Sequence, residues 1–344
     1  MQDTMRDATA GTGGDAARFV LATEADPAVL RGHTIAVLGY GNLGRSMALN
    51  LRDAGLDLVI GNIDDGYRAA AGRDGFEVLD PAAATRRADL VFVLLPDEVI
   101  PGCFASEVGP HLQAGAAVCF ASGYVLAFGL VEPPPQADVL LFAPRMVGSE
   151  VRSTYLDGSG FLSYLSVEQD ATGRGWPVLT ALAHAAGSLQ RGAMVLPARQ
   201  EAVLDLFIEQ GVGPYLGIAL QLAFTVGTEA GLPPEARVLE MYMSGEMART
   251  VQGFADEGFY QSVTGHGLVA TYGGFLGTLG LDVEDMQRRF TRTLESIRSG
   301  EFARKLQDEQ ANGYPTLAAI EQATALDNPI TAAERRVRAA LARR

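Results

Sequence analysis

His33-Thr-Ile-Ala-Val-Leu-Gly-Tyr-Gly-Asn-Leu-Gly44 is the stretch that decides the fold. Its first half is a short apolar run with β-branched members, the pattern of a strand buried on both faces. Its second half places glycine at positions 39, 41 and 44, and helical spacing follows from Leu43 to Ala54. On a strand-to-helix turn these glycines have separate mechanical roles. Gly39 makes the tight turn, Gly41 lets the backbone approach a pyrophosphate, and Gly44 lets helix and strand pack closely. Amides at the helix start then face the phosphates. A glycine triplet alone is a weak signal; the strand before it and the helix after it supply the context that its mechanics require.

Working outward, Leu56-Asp-Leu-Val-Ile60 reads as a second strand. Ala82 to Ala88 reads as a helix and Leu90-Val-Phe-Val-Leu-Leu95 as a strand ending at Pro96. Ala116 to Ala121 and Val139 to Ala143 are two further apolar runs. Strand and helix in alternation indicate an α/β fold with a doubly wound parallel sheet of the Rossmann type, over residues 31–190. After about Gln190 the character changes. Segments 198–230, 235–257 and 282–311 carry helical periodicity, so residues 191–344 are expected to form an all-helical domain. Gly211, Gly213, Gly217 and Gly227 lie inside helical stretches, where each costs about 1 kcal/mol against alanine. Close helix packing is the expected compensation. Residues 1–30 are expected to be a flexible tail.

Composition narrows the class. The chain has 344 residues, 48% hydrophobic and 20% charged, a globular balance long enough for two domains. Its formal net charge of −14 argues against nucleic acid and anionic membranes as partners, and leaves a small-molecule substrate. Two cysteines, Cys103 and Cys119, fit a reducing compartment and read as buried thiols. The first residues lack the apolar core of a secretory signal, and no run of about 18 uninterrupted apolar residues occurs, so a cytoplasmic protein is expected.

The second strand leads into Gly61-Asn-Ile-Asp-Asp65, which puts Asp64 twenty residues past Gly44. A carboxylate there accepts both ribose hydroxyls of NADH and repels a 2′-phosphate, so NADH is the expected cofactor, with NADPH as the alternative. Asp64 and Asp65 also suit a turn, which loop acids often cap. The cofactor set is therefore Gly39, Tyr40, Gly41, Asn42, Leu43 and Gly44, with Asn62 and Asp64, and with Leu95, Pro96 and Asp97 at the end of a central strand. Further along, Asp205 and Glu209 are four residues apart in a helical stretch, about 40° from one another around the axis. Two carboxylates on one face repel unless a cation joins them, and an oxygen-ligand pair with room for water suits Mg²⁺. Their neighbours Val203, Leu204, Leu206, Phe207 and Ile208 are apolar, which argues against a purely solvated face.

At this point the residues resemble ketol-acid reductoisomerase. The resemblance is carried by Gly39 to Gly44, Ala48-Leu-Asn-Leu-Arg-Asp-Ala-Gly55, Leu94-Leu-Pro-Asp-Glu98, Gln169-Asp-Ala-Thr-Gly173, Asp205-Leu-Phe-Ile-Glu-Gln210 and Ile297-Arg-Ser-Gly-Glu-Phe-Ala303, in the family's order. It runs from about residue 33 to the C-terminus. The resemblance implies reduction and rearrangement of 2-acetohydroxy acids with NAD(P)H and two Mg²⁺ ions. It also implies a knotted helical domain, a homodimer or higher homo-oligomer, and active sites completed by neighbouring subunits. It makes Asp205 and Glu209 metal ligands.

Three departures bear on the chemistry. Ser122 in Phe120-Ala-Ser-Gly-Tyr124 stands where the family carries histidine, and Arg145 in Ala143-Pro-Arg-Met-Val-Gly148 where it carries lysine. Arginine keeps its proton but binds a carboxylate bidentately. The third and fourth metal candidates, Glu240 and Glu246, are six apart, about 240° around a regular helix, unless Gly245 distorts it. If only one of them fits the family's spacing, its partner is Tyr242 or Ser244. An alkyl shift needs a ketol oxygen held between two cations, whereas hydride delivery needs a bound nicotinamide and a polarised carbonyl or imine. The expected reading is a divergent reductase of a 2-keto or 2-hydroxy-3-keto acid or a related imine, in specialised biosynthesis. Asp205, Glu209, Ser122 and Arg145 form its catalytic set. The alternatives are an authentic reductoisomerase and a non-catalytic dinucleotide-binding homologue. His266 is a candidate substitute acid or base, and Tyr272-Gly-Gly and Ser262 resemble family turns near the substrate only loosely.

Overall fold

The structure is a computed structural model, and it describes residues 17–264, 267–323 and 328–342. The chain divides into two compact units between Leu204 and Asp205.

The first unit is built on one nine-stranded sheet, in the order β1-β9-β8-β7-β6-β5-β2-β3-β4. Its central strands are β2 (Thr34–Leu38), β3 (Asp57–Gly61), β4 (Glu77–Leu79), β5 (Leu90–Val93), β6 (Ala117–Phe120) and β7 (Asp138–Pro144). All six pair in parallel, with Leu38 beside Gly61 on one side of β2 and beside Val93 on the other. The helices between them are α1 (Asn42–Asp53), α2 (Gly66–Arg73), α3 (Pro81–Arg87), α4 (Ile100–Cys103) and α5 (Tyr124–Ala127). Because β3 and β5 flank β2, the chain reverses its winding direction there. A crevice opens at the strand C-termini, where doubly wound folds bind ligands.

Beyond β7 the sheet is not uniformly parallel. After α6 (Gly148–Asp157), β8 (Ser163–Gln169) returns antiparallel to β7; β9 (Ala193–Val195), after α7 (Gly175–Ala185), is parallel to β8. The sequence reading missed both strands, because β8 mixes serine, glutamate and glutamine into its apolar pattern and β9 is three residues long. The expected tail is also shorter than residues 1–30. Residues 1–16 lie outside the described residues, but β1 (Phe19–Val20) pairs antiparallel with β9, and Val20 and Leu30 join the core. Asp26 accepts from the Ala28 amide and starts the turn that holds Leu30.

The second unit is helical, as expected. Helix α8 (Ala198–Glu229) leads into it, followed by α9 (Pro234–Val238), α10 (Glu246–Glu257), α11 (Phe259–Thr264), α12 (Leu268–Leu279), α13 (Val283–Arg298), α14 (Glu301–Ala311), α15 (Pro315–Ala323) and α16 (Pro329–Leu341). Glycines punctuate what the periodicity joined. Gly300 at φ +74° separates α13 from α14, and Gly245 at φ +84° separates α10 from a π-turn over Leu239–Met243. Only glycine takes such angles at no steric cost. By length and composition, α8 is apolar enough to cross a bilayer, with a mean hydropathy of 1.3 over 18 residues, even though no uninterrupted apolar run of that length occurs. It carries Asp205, Glu209 and Gln210 in its first half.

Two of the four glycines inside α8 make the close contacts expected of them. A Cβ on Gly211 would lie 3.0 Å from the Phe290 ring, and one on Gly227 would lie 2.6 Å from Arg237 Cδ. Gly213 and Gly217 face open space within the chain. Arg237 is itself buried. Its Nη1 donates to the Phe224 carbonyl at 2.6 Å and to the Thr228 hydroxyl, and the guanidinium lies 4.2 Å from the centre of the Phe224 ring. Gly227 thus exists to admit Arg237. Gly227→Ala is expected to lower the thermal midpoint, since overpacking at about 1–3 kcal/mol outweighs the helix gain of about 1 kcal/mol. In an Arg237→Ala background the same change should raise it; a thermal unfolding comparison of the four proteins decides.

Candidate active site

The glycine turn works as its spacing implies. Gly39, at φ +94°, donates its amide to the Gly61 carbonyl at 2.9 Å, and a Cβ there would lie 2.6 Å from the Leu94 carbonyl oxygen. A Cβ on Gly44 would lie 2.1 Å from the Gly39 carbonyl oxygen. Gly41, in contrast, faces open space, which is where an approaching pyrophosphate needs room. A second helix start lies against the first: a Cβ on Gly148, the first residue of α6, would lie 2.7 Å from the Leu43 amide nitrogen. Sequence reasoning did not find this contact, since nothing local in Val147-Gly148 signals a distant backbone.

Around the turn lies a cleft of 1010 Å³. It is lined by Gly39, Tyr40, Gly41, Asn42 and Leu43 from the turn, Asn62 and Asp64 from the end of β3, and Leu95, Pro96 and Asp97 after β5. Every expected cofactor residue except Gly44 borders this one cavity, and Gly44 serves it by packing behind the turn. Ser122 also lines it, beside Ala121 at the end of β6. The cleft extends along Val99, Ile100, Cys103 and Glu107, an apolar-edged slot that the sequence reading did not assign. Burial and the Glu107 charge push the Cys103 thiol up, so it stays protonated.

The two aspartates after β3 divide the work. Asp65 caps α2, accepting from the Tyr67 and Arg68 amides at 2.9 and 3.0 Å, and takes a further bond from the Asn62 amide group. Asn62 in turn accepts from the Tyr40 amide at 3.1 Å and so ties this loop to the glycine turn. Asp64 is exposed on the cleft, with no hydrogen bond or ion pair among the described residues. Arg68 is held by the Asn62 carbonyl at 2.8 Å and by Asp80 at 2.9 Å. The nearby cation is thus already occupied.

Ser122 and Arg145 are joined through a residue that the sequence reading missed. Glu201, 1% exposed in the first turn of α8, accepts from the Gly123 amide at 2.7 Å and pairs with Arg145 Nη2 at 3.0 Å. Gly123 is required for that approach, because a Cβ there would lie 2.2 Å from the Ala198 carbonyl oxygen. The positive end of α8 favours a carboxylate at this position. Arg145 also donates Nε to the Pro144 carbonyl and stacks 5.2 Å over Tyr164. Ser122 Oγ donates to Asp97 Oδ2 at 3.1 Å. The available signal was a glutamate four residues before Asp205, in a segment otherwise free of buried charge.

The four carboxylates expected to bind metal are not gathered within the chain. Among the described residues, no group of three or more His, Cys, Asp or Glu side chains is arranged to hold an ion. Asp205 and Glu209 share a face of α8 as expected. Glu240 lies in the π-turn and Glu246 begins α10, on opposite sides of Gly245. Gly245 does break the helix on which a 240° separation was reckoned, but it does not bring the pair to the α8 acids. His266 lies outside the described residues. Tyr272 is exposed on α12, and Ser262 packs close to Gly253 on α10.

A doubly wound sheet, a glycine turn with space at its central position and an exposed carboxylate on the cleft are the features of a nicotinamide-dinucleotide oxidoreductase. Residues 29–192 match the acetohydroxy acid isomeroreductase NADPH-binding domain, and residues 199–343 the ketol-acid reductoisomerase C-terminal domain. The chain is 37% identical to ketol-acid reductoisomerase (NADP(+)) of Caldivirga maquilingensis, covering 88% of this chain and 92% of that protein. It is 35% identical to that of Kineococcus radiotolerans, with 93% of each covered. It superposes on an NADH-preferring ketol-acid reductoisomerase from an uncultured archaeon with a TM-score of 0.87, at 31% identity, covering 93% and 98% of the two chains. The protein belongs to the ketol-acid reductoisomerase family.

Gly41→Ala should weaken NADH binding about tenfold or more, since 1.4 kcal/mol of lost approach is tenfold, and leave the thermal midpoint unchanged. Gly44→Ala should lower the midpoint; calorimetry and thermal unfolding separate the two effects. Glu201→Ala leaves the Gly123 amide and Arg145 without their acceptor and should cost about 3 kcal/mol in urea unfolding. Glu201→Gln, which keeps an acceptor for Gly123, should cost less.

Proposed function

We propose that this family member is a divergent reductase, which uses NADH in preference to NADPH to reduce a 2-keto or 2-hydroxy-3-keto acid or a related imine in specialised biosynthesis. The observation that carries this reading is the Ser122–Gly123–Glu201–Arg145 chain of contacts. It holds the Ser122 hydroxyl on the cofactor cleft and pairs Arg145 with Glu201, at the two positions where the family resemblance leads one to expect histidine and lysine. The NADH preference rests on Asp64 facing the cleft and on Arg68 being engaged by Asp80.

Bound nicotinamide supplies a hydride to the carbonyl or imine carbon. The chain's part is to hold and polarise the substrate. Arg145, held by Glu201, is the cation that a substrate carboxylate would pair with. The Ser122 hydroxyl donates to the carbonyl oxygen, which becomes the alcohol oxygen once it gains a proton from solvent. Asp205 and Glu209 supply two carboxylates on one helix face. That pair would hold one Mg²⁺, which would polarise the substrate oxygen, or else would bind a polar substrate group. Among the described residues, no further carboxylates are gathered beside them for a second ion.

The apolar surface of the helical unit supports assembly as a homodimer or higher homo-oligomer. Helix α12 exposes Leu268, Val269, Phe275 and Leu276, and α8 exposes Leu216, Leu222 and Val226. Large exposed apolar side chains in this number mark an interface. A cytoplasmic location accords with the two free cysteines.

The authentic reductoisomerase is the second reading, supported by the match of both domains to that family. The decisive assay follows NADH and NADPH oxidation over 2-keto acids, 2-hydroxy-3-keto acids and cyclic imines, with and without Mg²⁺. The proposal expects turnover with NADH on a simple keto acid or imine, and slow conversion of 2-acetolactate. Rapid Mg²⁺-dependent conversion of 2-acetolactate would establish the second reading instead. Cofactor binding without turnover of any substrate would point to a non-catalytic homologue.

A further inference from the structure

The cofactor cleft runs past the glycine turn into a slot that the reductase chemistry does not use. One side of the slot is Asp80 and Pro81, where β4 passes into α3, and the other is Val99, Ile100, Cys103 and Glu107 after β5. Gln113 Nε2 donates to the Arg86 carbonyl at 2.6 Å and ties the chain beyond Glu107 to α3. The slot thus reaches the β3–β4 side of the turn, the side of Asp64, whereas Ser122 follows β6 on the other side. A dinucleotide with its pyrophosphate at Gly41 turns one nucleoside toward Ser122 and sends the other past Asp64 into the slot.

The wall is shaped by its backbone. Helix α4 passes directly into a π-turn over Phe104–Val108, closed by the Gly109 amide donating to the Phe104 carbonyl. Residues three and four apart on such a segment share a face, so Ile100, Cys103 and Glu107 border the cavity together. Of the four wall residues, Glu107 alone carries a carboxylate. Its backbone carbonyl bonds His111 Nδ1 at 3.1 Å, but its carboxylate makes no hydrogen bond or ion pair among the described residues. Asp80, across the slot, is already paired with Arg68 at 2.9 Å. An ionised carboxylate only accepts hydrogen bonds. A slot with apolar sides and one open acceptor fits a flat ring that carries an exocyclic amino group, the group that carboxylates accept from when they read bases.

We propose that Glu107 accepts from the 6-amino group of the cofactor's adenine ring and makes the cleft selective for an adenine dinucleotide. The proposal rests on dinucleotide binding and not on the reductase chemistry above. No covalent bond changes. Glu107 is a specificity residue, and its effect lies in which base the slot admits.

Calorimetry tests this with NADH and with its hypoxanthine analogue, in which an oxygen replaces the 6-amino group. The unaltered protein should bind the hypoxanthine dinucleotide about tenfold more weakly, because two acceptors then face one another. Glu107→Gln keeps the size of the side chain and presents both an acceptor and a donor, so it should bind the two dinucleotides about equally. Glu107→Ala should also bind them equally, with NADH held less tightly than by the unaltered protein. The readout is a ratio within one protein, so a general loss of stability or of affinity does not move it. Equal binding by the unaltered protein, or a ratio that neither substitution changes, overturns the proposal and leaves the cofactor site standing. Failure of the unaltered protein to bind either dinucleotide overturns both. Absence of turnover would reject the reductase reading and leave the ratio as expected.

Discussion

The structure depends on a steric constraint at the first turn of the sheet. β2 must end, reverse and begin α1 within a few residues, with β5 alongside. The Leu94 carbonyl and the Gly39 carbonyl occupy the volume that side chains at Gly39 and Gly44 would need. That closeness aims the first amides of α1 into the crevice between β3 and β5. The start of α6 packs on the same backbone through Gly148, so two helix N-termini face one region. A dinucleotide-binding cleft is the consequence of this packing, and Asn62 and Asp65 lock the loop after β3 against the glycine turn.

A second close approach, at Gly123, ties the loop after β6 to the first turn of α8. Glu201 is a buried carboxylate at a helix start, satisfied by an amide and a guanidinium. Burying such a charge is tolerable only with that pairing. Through it the loop that carries Ser122, the strand end that carries Arg145 and the first turn of α8 hold one arrangement. The same helix then continues to Asp205 and Glu209. The residue after Ser122 and the side chain of Arg145 thus answer to one carboxylate, while the Ser122 hydroxyl itself bonds Asp97.

The sequence disclosed the parts whose signals are local. Continuous apolar runs gave β2, β3, β5, β6 and β7 to within a residue or two, since strands buried on both faces must be apolar throughout. Strands β8 and β9 and the edge strand β1 were not legible. Their pairing is set by neighbours far along the chain, and their residues are too mixed or too few for a pattern. The helix break at Gly300 was hidden inside a periodic stretch, because a single left-handed residue does not disturb the spacing of apolar side chains on either side, whereas Gly245 had drawn notice only through the spacing of Glu240 and Glu246.

What the sequence by itself determined was the glycine turn, the alternation that builds a parallel sheet, the acid positions after β3 and the identity of the residues at 122 and 145. These follow from backbone stereochemistry and from hydrophobic period, both of which operate over a few residues. Tertiary structure alone decided that Asp65 caps a helix while Asp64 faces the cleft, that Glu201 joins Ser122 to Arg145, and that the four acids proposed for metal do not meet within one chain. Those outcomes depend on where distant segments come to rest against one another, and on which buried polar group finds a partner there.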